Sequence, residues 1–327
     1  MKPKKLKRLF PVLALPMILS SGVLKADIPN VVADIAPVHS LVSMVMKGIG
    51  EPQLLIPQNA SPHHYAMRPS EAKALQEANL VVYLGHDMTP WLEPLFETVA
   101  ASAEPLDLSE VDGVLQLSYR EGPVFGEHEG HDDHDDHEGH DHEEEGHDDH
   151  AHHDHDGNDP HMWLDPENAL VWLDAIASEL GHIDPENAAR YRANAKTAKE
   201  EISHEIHHIE DHLKSVQGQG FLVFHDAYQY FENRFGIFAT GSISIGDASK
   251  PSPKRLQQLK HHFEEEGIHC VLSEPQYSSK LINSVFGGFK PHIGVVDPIG
   301  VDLELGSGLY LELLENIAVG IAQCVNH

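Results

Sequence analysis

Residues 185–216 read PENAARYRANAKTAKEEISHEIHHIEDHLKSV. Tyr191, Ala195, Ala198, Ile202, Ile206, Ile209, Leu213 and Val216 recur at intervals of three and four, which is the period of one apolar helix face. Asp184 suits a cap and Pro185 the first helical position. The pattern predicts one helix over about residues 185–217, and at 1.5 Å per residue such a rod is about 45 Å long. A rigid connector of that length resists wide hinge opening, so the parts it joins are expected to rock only modestly. His204, His208 and His212 fall four apart along it. That spacing suits a metal, although a solvated face mixed with Glu and Asp is the simpler reading.

On its N-terminal side the chain alternates short apolar runs with helical segments. NVVADIAP, LVSMVMKGI, PQLLIP, a helix over roughly residues 69–79 and LVVYLG read as strand, helix, strand, helix, strand. On its C-terminal side FLVFH, AYQYFENRF, IFATGSISI, SPKRLQQLKHHFEEEG, HCVLSEP and HIGVVDP repeat the alternation, and a closing helix is expected over about residues 307–324. Buried strands separated by helices imply parallel sheets covered on both faces. The expected architecture is therefore α/β, with one lobe over residues 27–165, a helical region over 166–218 that contains the linker, and a similar lobe over 219–327.

The segment before these lobes has the form of an export signal: Lys2, Lys4, Lys5, Lys7 and Arg8 precede the apolar run LFPVLALPMIL, with cleavage expected after Ala26. A membrane span needs about 20 apolar residues, and Pro11 and Pro16 interrupt this shorter run. Export would put Cys270 and Cys324, the only cysteines, in an oxidising compartment where a disulfide is the default. Closing a loop of that size contributes about 4 kcal/mol in the loop-entropy view.

The formal net charge is −30, but residues 127–156 alone contribute 15 acidic side chains with no Lys or Arg. An acidic body repels nucleic acid and anionic membranes and attracts cations at long range. The same segment carries His128, His131, His134, His137, His140, His142, His147, His150, His152, His153 and His155. With no apolar residue larger than Ala it cannot form a core, and disorder in the metal-free state is expected. These imidazoles are candidates for secondary metal binding, weaker than a built pocket because each binding event must order the chain.

Four motifs could build such a pocket: SPHHYAMRPS at 61–70, DPHMWLDP at 159–166, FHDAYQYF at 224–231 and VVDPIG at 295–300. Each carries a metal-competent side chain next to Pro or aromatic neighbours, and three of the four directly follow strands or the loops they feed, where open α/β sheets bind ligands. His63, His161, His225 and Asp297 form a ligand set suited to Zn(II). For Asp297 the competing role is a cap of the turn after it. His225 could coordinate through one ring nitrogen while the other donates to a backbone or carboxylate partner, and Met162 and Trp163 could shield a site at His161. No HExxH motif and no Ser or Cys nucleophile with an evident base occurs, so catalysis is not expected.

Taken together, these motifs resemble the periplasmic zinc-binding proteins of high-affinity ABC importers, a cluster that includes manganese-binding and adhesin-like relatives. The resemblance runs from NVVADIAP to the C terminus. It implies two four-stranded α/β lobes joined by one long helix, and metal ligation by His63 rather than His64, by His161 and by His225. Asp297 or water would complete the set. Manganese-preferring members usually place Glu where this chain has His225. The resemblance also implies a Cys270–Cys324 disulfide and an accessory part for residues 127–156. The expected function is capture of Zn(II) in the periplasm by a monomer and its delivery to a membrane permease. The alternatives are another divalent cargo such as Mn(II), or an extracellular metal-buffering or adhesin-like protein.

Overall fold

A computed structural model describes residues 28–120, 122–125, 157–244, 251–276, 279–286 and 288–327. The expected export signal and the His-rich segment lie outside the described residues. The first lobe is built from β1 (Val31–Ala33), α1 (Ala36–Met46), β2 (Gln53–Leu54), α2 (Pro69–Gln76), β3 (Leu80–Tyr83), α3 (Glu93–Phe96) and β4 (Glu104–Asp107). Its four strands lie in the order β2-β1-β3-β4, all parallel.

Helices α4 (Pro166–Ile183) and α5 (Ala188–Leu213) follow. The second lobe comprises β5 (Phe221–His225), α6 (Gln229–Phe235), β6 (Ala239–Ser244), α7 (Pro253–Glu265), β7 (Cys270–Ser273), α8 (Ser279–Phe286), β8 (His292–Val295) and α9 (Leu309–Val325). Its strand order β6-β5-β7-β8 is again parallel and repeats the topology of the first. In both sheets the connections leave the second-placed strand in opposite directions, so each lobe has a switch point at the C-terminal ends of its two central strands, β1/β3 and β5/β7.

The linker helix is as the apolar period requires: Tyr191, Ala195, Ala198, Ile202, Ile206, Ile209 and Leu213 are all buried. At 26 residues it is about 39 Å long. It starts later than expected because α4 runs on to Ile183 and the chain turns between the two helices. Asp184 therefore ends α4, and its Oδ2 accepts hydrogen bonds from Asn187 Nδ2 (2.7 Å) and the Tyr191 hydroxyl (3.0 Å). Helix α5 packs on α4, on α1 of the first lobe and on α9 of the second, so the main apolar core is continuous through both lobes. A smaller cluster around Leu222, Ile243, Leu259 and Phe286 completes the second lobe.

The Cys270–Cys324 disulfide joins β7 to α9. Among the described residues no helix is long and apolar enough to cross a membrane.

Candidate metal centre

Each of the three histidines in question sits where the local sequence makes the backbone stiff. His63 lies in a single 3-10 turn, Pro62–His64, which Pro62 opens. Glu71, three residues after the cap of α2, accepts from the Tyr65 hydroxyl (2.7 Å) and from Arg68 N (2.6 Å), and so ties the rest of SPHHYAMRPS to the start of that helix. The placement of the His64 side chain lies outside what the structure describes. His161 caps the turn Met162–Leu164, and His225 is the last residue of β5, at the switch point of the second lobe.

The three imidazoles meet between the lobes. One nitrogen from each of His63, His161 and His225 lies within 4.8 Å of the others. His161 Nε2 and His225 Nε2 are 3.3 Å apart, and the His63 and His161 ring centroids are 5.4 Å apart. On bonds of 2.0–2.1 Å, two donors at a tetrahedral angle are about 3.3 to 3.4 Å apart, so the first pair already has the edge length of a zinc tetrahedron. His161 and His225 are buried and His63 half-buried, around a cavity of 150 Å³ also lined by Met88, Trp163, Glu274 and Ile299.

Behind two of the rings stands a carboxylate. Asp159 Oδ1 lies 2.6 Å from His161 Nδ1 and also accepts from its backbone N at 3.0 Å. Glu274 Oε1 lies 2.7 Å from His225 Nδ1. An ionised carboxylate only accepts, so these contacts fix the proton on Nδ1 and turn the Nε2 lone pairs of both rings toward each other. Two lone pairs at that distance repel unless a cation lies between them. Burial pushes the Asp159 carboxyl up to about 7, against the amide of His161 and the charge of Arg120, so it is above that value that it is ionised and holds the proton on His161 Nδ1.

A family model described as the periplasmic zinc-uptake complex component A, ZnuA, matches residues 31–324. The chain belongs to the ZnuA family. It is 42% identical over 307 residues to the high-affinity zinc uptake system protein ZnuA of Paracoccus denitrificans, covering 92% of this chain and 93% of that one. To the ZnuA of Brucella suis it is 40% identical over 306 residues, covering 91% and 92%. A crystal structure of ZnuA superposes with a TM-score of 0.72 at 23% identity, covering 91% of this chain and 99% of that one. The laminin-binding protein of Streptococcus agalactiae gives 0.70 at 22% identity, covering 91% and 99%. At these identities the likeness to solved structures shows the fold.

Asp297, expected with water as the alternative for the fourth position, is not brought into the group of three. Its Oδ1 accepts from the amides of Ile299 (3.0 Å) and Gly300 (2.9 Å), and its Oδ2 from that of Val301 (2.5 Å). The carboxylate caps the turn that follows β8, the competing role of an acid before Pro-x-Gly. Shielding also differs in detail. Trp163 lines the cleft and donates from Nε1 to Pro298 O at 2.7 Å, but the methionine at the cavity wall is Met88 rather than Met162.

Sequence reasoning missed Asp159 and Glu274. Asp226, the neighbour of His225, turns away to Arg120, whose Nε lies 3.1 and 3.0 Å from its two oxygens. The signals were present in DPH, with an acid two residues before the ligand, and in CVLSEP, with an acid just past the end of a central strand.

Proposed function

We propose that this periplasmic chain captures Zn(II) with high affinity in the cleft between its lobes and delivers it to the permease of an ABC importer. Its role is binding and transfer, with no reaction to catalyse. The observation that carries the reading is the 3.3 Å separation of the His161 and His225 Nε2 atoms, backed by two carboxylates that aim them at one point. His63, His161 and His225 are the ligands in this proposal. Water takes the fourth position, because the Asp297 oxygens are already engaged by three backbone amides. Three imidazoles favour zinc over manganese, which follows from the general order of divalent affinities. In this reading the eleven histidines of residues 127–156 collect metal more loosely than the cleft does.

Calorimetric zinc titration tests the assignment. His63→Ala or His161→Ala should abolish the tightest binding event, while deletion of residues 127–156 should remove weaker events and leave the tightest intact. Loss of the tightest event in the deletion variant would overturn it.

A further inference from the structure

A second constellation lies among residues that do not line the cleft cavity. His208 and His212 are one turn apart on α5 and share a face, with ring centroids 4.7 Å apart and planes at 88°. Glu315, half-buried on α9, faces them across the α5–α9 contact. One donor atom from each of these three residues lies within 4.8 Å of the other two. A further carboxylate completes the ring: Glu205, one turn before His208, has a buried Oε1 that makes no hydrogen bond and sits 3.6 Å from His208 Nδ1. Burial raises the Glu205 carboxyl, Glu315 adds to that, and His208 and His212 oppose it, so all three lie within electrostatic reach of Glu205. His204, the third member of the every-fourth-residue series, lines a different groove with Lys196 and Lys199.

We propose that His208, His212 and Glu315, with Glu205 beside them, form a second site for a divalent transition metal that fastens the linker helix to the C-terminal lobe. Two histidines at i and i+4 on one helix face are a zinc-chelating pair, and a Glu-x-x-His step plus a carboxylate from a neighbouring helix is a recurrent way to build a metal site between helices. The donors lie within 4.8 Å of one another, so they need to close by at most about 1.5 Å to reach tetrahedral spacing. His208 and His212 are exposed enough to do so, whereas two of the three cleft imidazoles are buried and already at tetrahedral spacing. The second site is therefore the weaker one, and it fills when zinc is abundant. Its position matters because α5 belongs to both lobes, while α9 is bound to the second sheet through the Cys270–Cys324 disulfide. A metal here acts on the joint between connector and lobe.

Residue-resolved histidine modification with diethyl pyrocarbonate, read by mass spectrometry on the full chain over a zinc chloride titration, tests this without interference from the His-rich segment. His208 and His212 should become protected at high zinc, while His261, exposed on α7 beside Glu265, stays reactive. Glu315→Gln should raise the zinc midpoint for His212 protection at least tenfold. His63→Ala should leave that midpoint unchanged, which separates this site from the cleft. Unprotected His208 and His212 at saturating zinc, protection unaffected by Glu315→Gln, or protection lost with His63→Ala would each overturn the proposal.

Discussion

At the scale of single residues, the cleft is organised by groups that do not themselves appear among the three nitrogen donors. Histidines that precede a stiff turn or end a strand were legible as ligand candidates because Pro, aromatic and strand signals surround them. The carboxylates behind them were not, since an acid two residues before a histidine, or one just past a strand end, becomes a partner only when the fold sets a ring against it. Only the fold brings Glu274 to His225, from the adjacent strand of the sheet. Asp297 shows the opposite case: an acid at a strand end looked like a ligand, and the three amides of the next turn take up its oxygens instead. Asp159 and Glu274 set ring tautomer and aim, and losing such a partner costs about 10–100-fold in metal affinity. Asp159→Asn and Glu274→Gln are therefore expected to weaken the tightest zinc event by that factor without changing its stoichiometry, measured by competition with a chromophoric chelator. An unchanged affinity in both variants would mean that the rings are held by other contacts.

At the scale of elements, strands buried on both faces and long amphipathic helices were readable, while short edge and surface elements were not. The predicted and observed apolar faces of α5 coincide from Tyr191 to Leu213, and Val216, also buried, lies in the turn just past the helix end. Strand β4, EPLD, escaped notice because it is a partly exposed edge strand with Pro105 in it, which lowers its strand signal. Helix α3, of four residues, is too short for a period to show. The start of the linker was misplaced for a different reason: Asp184 and Pro185 look like the opening of a helix, but they belong to the turn that reverses α4 into α5. Because α5 serves both lobes, truncating its core face should be felt throughout. Ile202 is fully buried there, and Ile202→Ala is expected to lower unfolding stability by about 2–5 kcal/mol. A single cooperative denaturant transition, shifted as a whole, is the expected readout. A shift confined to one of two separable transitions would show that the continuous core does not couple the lobes.

For the whole molecule, closure around the cleft rests on polar contacts as well as the shared helix. Trp163 Nε1 donates to Pro298 O (2.7 Å), the Tyr310 hydroxyl to Trp163 O (2.7 Å), and Gln58 Nε2 to Gly300 O (2.6 Å) and Leu303 O (3.0 Å). Wide opening would break all of them, at about 0.5–1.5 kcal/mol each, so metal exchange by modest rocking is the less costly route. The same core gives the metal-free protein a defined response to pH. At the C-terminal end of β1, Asp34 accepts from Ile35 N (2.7 Å) and Leu84 N (2.9 Å), yet complete burial pushes its carboxyl up to about 7. In the unfolded chain it titrates near the ordinary value of about 3.9. Below that value both states are protonated and its stabilising effect is complete. Between the two values the unfolded chain releases the proton while the native state holds it, so stability falls as pH rises, by about 1.4 kcal/mol per pH unit for each such proton, and levels off above about 7. Denaturant unfolding of the zinc-free protein from pH 5 to 8 should show the decline. Asp34→Asn should be less stable at pH 5, having lost one of two amide acceptors, and its slope should shrink by about one proton. A variant with the full wild-type slope would show that Asp34 is ionised in the native state throughout, and that its amide hydrogen bonds outweigh its burial.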